Sequence, residues 1–400
     1  MDKTATSLLK GIKVVELSHM VMGPSTGLLM ADLGAEVIKI EPIDGDKTRN
    51  LRGSGAGYFS MYNRNKESIS LDLKSNEGLE IAKNIISGVD VLIENFRSGT
   101  IDRLGLDYET LSIANPGLIY CSEKGFLTGP YDKRTALDEV AQMMGGLAYM
   151  TGPPGQPLRA GASVIDVMGG TFGVVAILAA LLERVGTGKG RLIHSGLYET
   201  CVFLVGQHMA QYAVTGEAAN PMPVRISAWS VYDIFETKNN EKVFVGIVTD
   251  GQWRAFCKTF ELFDWAQDND FATNNQRIEK RVVILERLGS LFKQMNTQQL
   301  IDKLSSFGAP FAPIKRPEDL FDDPHLNANG GLTLLNLPGG KETKLPSLPL
   351  EVDGQRPPLK SDPPHIGQHT IKILKEIGLK DDEIQNLIND EVVGIPSEND

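Results

Sequence analysis

The sequence predicts an α/β protein: a Rossmann-like large domain with a second, smaller α+β domain. Over residues 1–195, short β-branched runs alternate with stretches of helical apolar spacing, the pattern of parallel strands joined by crossover helices. After residue 226 the texture changes to an alternating run, an Asn239-Asn240 turn and a second alternating run, with helices behind them. At 400 residues, 41% hydrophobic and 23% charged, the chain is long enough for two or three domains that each bury a core.

Residues 13–17 (KVVEL) read as the first strand, 25–33 as a helix after the Gly23-Pro24 turn, and 35–40 (AEVIKI) as the second strand, one βαβ unit. A helix at 77–87 leads into 89–94 (VDVLIE), and 118–122 (LIYCS) supplies a further strand. Helical spacing over 138–151 is broken by GPPGQP. A long apolar helix then runs from 164 to near Arg184, followed by the basic turn GTGKGR, a strand at 192–194 and a helix over 196–215. In the smaller domain, 231–236 and 242–247 form a hairpin backed by helices at 252–260, 278–295 and 297–306. Residues 327–364, rich in Gly, Pro and Leu, read as an extended connection, and 366–378 and 381–389 as short amphipathic helices. The domain assignment is therefore 1–200 for the first part of the large domain, 201–225 for a linker and 226–326 for the small domain. A return linker at 327–364 leads to the large domain's last part, 365–400, with the tail from Pro396 frayed.

Composition excludes several classes of function. Forty Lys and Arg against 51 Asp and Glu, a net charge of -11, give no positive field to gather nucleic acid or acidic lipid, so an anionic ligand needs a local basic site. Cys121, Cys201 and Cys257 are widely spaced with no C-x-x-C pair, which argues against a disulfide framework or a cysteine zinc site and for a reducing, cytoplasmic location. The first residues carry no apolar h-region with a cleavage site, so no secretion signal is expected. The longest apolar run, residues 174–182, is about half the ~20 residues that cross a bilayer, so no membrane partner is expected. Of the six histidines only His365 and His369 are close together, and no H-E-x-x-H, G-x-S-x-G or Walker A motif occurs, so no metal is expected. The glycine cluster at 53–57 lies outside any βαβ unit, and the turn after the first strand lacks G-x-G-x-x-G, which disfavours a nicotinamide enzyme.

Two constellations can carry chemistry. Asp166 lies between Val164-Ile165 and Val167-Met168 at the start of an apolar helix, where a carboxylate either caps the helix or serves as a reactive group. Gly169 and Gly170 remove side chains beside it, letting a ligand approach and backbone amides face a developing oxyanion, or letting another element pack closely. Arg97 and Arg103 follow the strand VDVLIE, where open α/β sheets bind ligands, and either hold a phosphate or form a solvated face with Asp102 and Asp107. Lys133 and Arg134 are a weaker case of the same kind.

The runs LKGIKVVELSHMVMGPSTGLLMADLGAEVIKIEP, YNRNKESISLDLKSNEG, VDVLIENFRSGTIDRLGLDYETL, NPGLIYCSEKGF, GPYDKRTALDEVAQMMGG, TGKGR and GQHTIKILKEIGL resemble the class III CoA-transferases, the CaiB/BaiF-type family of formyl-CoA and carnitine CoA-transferases. The resemblance covers most of the first 200 residues and the C-terminus, and matches the middle weakly. It implies that Asp166 is the nucleophile, attacking an acyl-CoA and passing through an aspartyl-CoA thioester from which a free carboxylic acid takes the coenzyme. It also implies that His19, Val21 and Met22 line the CoA cleft and that Leu71, Asp72, Leu73 and Lys74 pass the adenine. Asn95, Phe96, Arg97 and Arg103 would hold the pantetheine and phosphates, Arg134 would be a further CoA contact, and Thr135, Leu137 and Asp138 would border the thioester. CoA esters enter as substrates, no cofactor is bound permanently, and the expected assembly is an interlocked, ring-shaped homodimer.

Three departures from the family pattern concern the substrate. Val21 stands where the oxalate enzymes have glutamine, Leu137 where members carry an aromatic residue or histidine, and no glycine-rich loop occurs around 247–252. These features disfavour formate and oxalate and favour a short or medium organic acid or a dicarboxylate such as succinate. Two alternatives stay open: a 2-methylacyl-CoA racemase of the same superfamily, which would lack one of its two bases at Leu137, and a non-catalytic CoA-ester binding protein in which Asp166 only caps a helix.

Overall fold

Strands β1 (Lys13–Leu17), β2 (Glu36–Glu41), β3 (Lys66–Leu71), β4 (Val91–Glu94), β5 (Ile119–Lys124) and β6 (Arg191–Gly196) form a parallel sheet in the order β3-β2-β1-β4-β5-β6, and Val393–Gly394 pairs antiparallel with the free edge of β3. The order reverses between β1 and β4, which opens a crevice at the carboxyl ends of those two strands. The computed structural model describes residues 7–225 and 227–396. The described residues divide into two compact units, one running up to Pro223 and resuming at Pro324, the other being Val224–Asp323. The boundary expected at 226 and the tail beyond residue 396 lie outside the described residues.

Strand β3, KESISL, has no counterpart in the sequence reading. Its Ile69 and Leu71 join one apolar core with Val15, Leu17 and Ile40, while Lys66, Ser68 and Ser70 on the opposite pleat are buried as well. That polar face is satisfied by charge. Lys66 Nζ reaches Glu16 Oε2 at 2.6 Å and the Pro24 carbonyl at 2.9 Å, and Lys39 Nζ reaches Glu16 Oε1 at 3.0 Å and the Ser18 carbonyl at 2.8 Å. Buried ions thus tie three neighbouring strands to the loop that follows β1.

The first crossover helix is Met22–Asp32, so Gly23 and Pro24 belong to its first turn, where a missing N–H costs nothing. The helix Val164–Thr187 packs against it and against the sheet through Gly169, Gly170, Gly173, Val174 and Ile177. Counting its glycines and threonines, this helix is long and apolar enough by length and composition to cross a membrane, which the shorter apolar run did not suggest. The helix expected over 196–215 is present as Leu197–Thr215, with Thr200, Cys201 and Val205 buried, so the first part of the linker expected over 201–225 belongs to the first unit. The expected return linker contains an antiparallel hairpin, Leu332–Asn336 with Glu342–Pro346. It is held near β3 where Lys360 and Ser361 N–H donate to Asn65 Oδ1 at 2.6 and 2.9 Å.

The second unit is a three-stranded antiparallel sheet, Val231–Glu236, Lys242–Ile247 and Phe311–Pro313, with Trp253, Phe256, Ile284, Leu288, Phe292, Leu300 and Leu304 forming its core. The helix expected over 278–295 is divided into Asn274–Glu279 and Arg281–Phe292.

Candidate active site

The crevice begins with a reciprocal hydrogen bond. His19 N–H donates to Asn95 Oδ1 at 3.1 Å and Asn95 Nδ2 donates to the His19 carbonyl at 2.7 Å, locking the loop after β1 to the end of β4. Burial holds the His19 imidazole below its usual range, and its ring lies 6.1 Å from that of Phe96. His19 lines two clefts, one on each side of it.

The first cleft, about 470 Å³, has apolar walls of Leu17, Ile40, Leu71, Leu73, Phe96 and Leu104, with Asp72 and the exposed cations Lys47, Lys74 and Arg103 at its rim. An apolar slot with a cationic rim suits a ligand that is flat or flexible at one end and phosphorylated at the other.

The second cleft, about 200 Å³, holds Asp166 together with Val21, Met22, Asn95, Leu137 and Asp138. Asp166 sits in the first turn of the helix Val164–Thr187 but does not cap it, so the capping reading is corrected. The cap comes from another helix: Asp138 Oδ2 accepts from Ile165 N–H at 2.9 Å and Asp166 N–H at 3.3 Å. Asp138 is itself fixed by Gln142 Nε2 at 2.5 Å and by the Arg159 guanidinium at 3.1 Å. With its capping duty taken by Asp138, the Asp166 carboxyl is free for chemistry. Burial, and then the nearby Asp138, push its pKa up to about 7, with Arg159 pulling the other way.

The oxyanion role expected of Gly169 and Gly170 is not supported. Both lie in the second turn of the helix, where N–H groups are spent on carbonyls four residues back. A Cβ at Gly169 would stand 2.7 Å from Met22 Cε, and one at Gly170 2.4 Å from Ser25 Oγ, so these glycines serve the close approach of two helices. Met22, the first residue of the helix Met22–Asp32, lies at the wall of the cleft, and a first-turn N–H there has no acceptor within its own helix.

Three other expected contacts stand apart. Arg97, Arg134 and Thr135 are exposed and line neither cleft, and Arg134 lies over the rings of Tyr131 and Phe126 at 5.1 and 5.7 Å. Conversely, Tyr58, Glu123, Lys124, Arg159 and Ser163 line the Asp166 cleft without having been singled out. Glu123 and Lys124 were findable, since SEKGF ends a parallel strand beside the reversal point. Arg159 follows a proline-broken turn, and no local pattern marks it.

Residues 9–370 match CoA-transferase family III. The chain is 32% identical over 388 residues to the succinate–glutarate CoA-transferase of Agrobacterium fabrum, covering 92% of this chain and 95% of that protein. It is 30% identical over 386 residues to the succinyl-CoA:mesaconate CoA-transferase of Haloarcula hispanica, covering 93% and 96%. A crystal structure of a CaiB/BaiF family protein from Brucella suis superposes with a TM-score of 0.81 at 33% identity, covering 94% of this chain and 100% of that one. A match over nearly the whole chain, together with an acidic group freed at the end of a parallel sheet, leads to one assignment: the chain belongs to CoA-transferase family III and is a CoA-transferase.

Proposed function

We propose that this enzyme moves coenzyme A from succinyl-CoA or a similar donor to a second dicarboxylic acid, with Asp166 as the covalent nucleophile. The observation that carries the reading is the half-buried Asp166 carboxyl, which caps no helix, in a small cleft that adjoins the cation-rimmed cleft at His19. The CoA nucleotide lies in the larger cleft, its phosphates on Lys47, Lys74 and Arg103, and the pantetheine passes His19 and Asn95 so that the thioester meets Asp166. The Asp166 carboxylate attacks the thioester carbon, forming a mixed anhydride and releasing CoA thiolate. The thiolate attacks the Asp166 acyl carbon, releasing the donor acid and leaving an aspartyl-CoA thioester. The incoming acid reverses the sequence. The names of the relatives support a substrate that bears a second carboxylate.

The test is intact-protein mass spectrometry after incubation with succinyl-CoA and trapping with hydroxylamine or borohydride. A modification that peptide mapping places on Asp166 supports the reading, and an unmodified protein that still binds CoA esters refutes it. The racemase alternative predicts exchange of the substrate α-hydrogen in deuterium oxide. Leu137, a side chain without a titrating group, lines the cleft and gives that reaction no base.

The nucleophile acts only when ionised, so kcat/KM rises with pH through about 7, the value set by burial and Asp138. A pH profile of kcat/KM that is flat from pH 5 to pH 8, on the order of a thousandfold in proton concentration, contradicts it.

We also propose that a second copy of the chain covers the neighbouring helices Val164–Thr187 and Leu197–Thr215. Leu182, Val185, Phe203 and Val214 on them are 76%, 86%, 70% and 85% exposed, apolar side chains that a second copy packed there would take out of water. Light scattering is expected to give twice the monomer mass, and a monomer at micromolar concentration argues against it. With all three cysteines free and buried, a reducing, cytoplasmic setting suits the chain.

A further inference from the structure

We propose that Glu123 is a neutral carboxylic acid that donates a hydrogen bond to the acyl carbonyl oxygen as Asp166 attacks, a role that rests on the transferase reading above. Glu123 lines the Asp166 cleft, is only 3% exposed and projects from the carboxyl end of β5. Thr26 Oγ1 donates to its Oε1, whereas Oε2 has no hydrogen-bond partner among the described residues. Gly23 keeps that oxygen uncrowded, since a Cβ there would stand 3.2 Å from Oε2 and closer still to Ser18.

A bare carboxylate oxygen in such a place is costly, and protonation removes the cost. The groups facing Glu123 from the packed elements point the same way: Glu16 from β1, Glu94 from β4 and Asp166 from its helix are all acids. Burial and these three push the Glu123 pKa up to about 8 against the opposing Thr26 hydrogen bond. The neighbouring cations are committed elsewhere, Lys39 and Lys66 to Glu16 and Lys124 to Glu94. With Oε1 accepting from Thr26, the proton belongs on Oε2, where it needs an acceptor. A carbonyl oxygen meets that need, whereas a second substrate carboxylate would be repelled by the surrounding acids. As the Asp166 oxygen bonds to the thioester carbon, the carbonyl π pair moves onto its oxygen and the hydrogen bond from Glu123 strengthens. The proton stays on Glu123. The pair returns as the carbon–sulfur bond breaks and the thiolate leaves.

The test compares Glu123→Gln, which keeps an N–H donor, with Glu123→Leu, which keeps none, using succinyl-CoA and butyryl-CoA as donors. Glu123→Leu is expected to lower kcat about 100-fold with both donors, the loss typical of one oxyanion donor, with KM little changed and the Asp166 adduct forming slowly. Wild-type kcat/KM is expected to fall again as pH rises through about 8, and Glu123→Gln to retain most of the activity while losing that fall. A near-normal rate for Glu123→Leu, or an alkaline fall that survives in Glu123→Gln, reduces Glu123 to a structural partner of Thr26 and overturns the proposal. A loss confined to succinyl-CoA also overturns it, by placing the O–H on the second carboxylate. Should the leucine variant fail to fold, the pH profile of Glu123→Gln decides alone. Failure of the wild type to form an adduct with either donor would instead sink the transferase reading.

Discussion

Asp166→Asn is expected to lower the rate of CoA transfer by at least about 10³-fold and to abolish the covalent adduct, while leaving CoA-ester affinity near normal. The reason lies in what the carboxylate does and does not do. Its own backbone N–H is held by Asp138 Oδ2, and the helix start by the same carboxylate, so the side chain of Asp166 has no cap to lose. An amide of nearly the same shape therefore keeps the fold but offers no anionic oxygen to the thioester. The cleft proposed for the CoA nucleotide is lined by other residues and is untouched. Single-turnover kinetics, with binding followed by calorimetry, separate these effects. A variant retaining more than about a tenth of wild-type kcat would show that the carboxylate is not the nucleophile.

Removal of Glu16 is expected to have the largest effect on stability. Glu16→Ala should cost about 3–5 kcal/mol and lower Tm by roughly 10 °C, because two fully buried ammonium groups lose their shared anion. The same carboxylate indirectly holds the active-site loop, since Lys39 also bonds the Ser18 carbonyl and Lys66 the Pro24 carbonyl. Transfer activity should therefore fall along with stability. Burial raises the Glu16 pKa, but Lys66 and Lys39 outweigh it and hold the carboxyl below its usual range. A depressed carboxylate contributes stability above its unfolded pKa of about 4.3 and loses it as pH falls through the lower folded value. The difference between wild type and Glu16→Ala should accordingly shrink on acidification. Denaturant unfolding at several pH values measures this, and a difference below about 1 kcal/mol at pH 7 contradicts it.

Much of the fold was legible locally. The alternation of β-branched runs with helical spacing located five of the six parallel strands, and burial followed apolarity in four of them except at Glu16 and Lys39 and toward their polar ends, whereas in β6 Leu192 is exposed and Ser195 buried. Strand β3 escaped notice because its polar pleat is buried, and a polar residue in a sequence pattern is ordinarily read as exposed. The hairpin at 332–346 escaped because glycine and proline mark turns and linkers alike. At the site, Asp166, His19, Val21, Met22, Asn95, Leu137 and Asp138 converge on one cleft, and Leu71 to Lys74, Phe96 and Arg103 on the other. Arg97 and Arg134 were drawn in by their charge and sequence neighbourhood, and neither indicates which way a side chain leaves its loop.

The sequence by itself determined that a parallel sheet places an acid at a helix start near strand ends, and the runs around that acid pointed to the CoA-transferases. Only the tertiary structure decided which carboxylate caps that helix. Asp138 caps the Asp166 helix from 28 residues away, Glu16 neutralises Lys66 across 50 residues, and Thr26 meets Glu123 across 97. Whether a buried polar group is a cap, an ion partner or a reactive group depends on the neighbours that satisfy it, and chain folding, not local periodicity, chooses those neighbours.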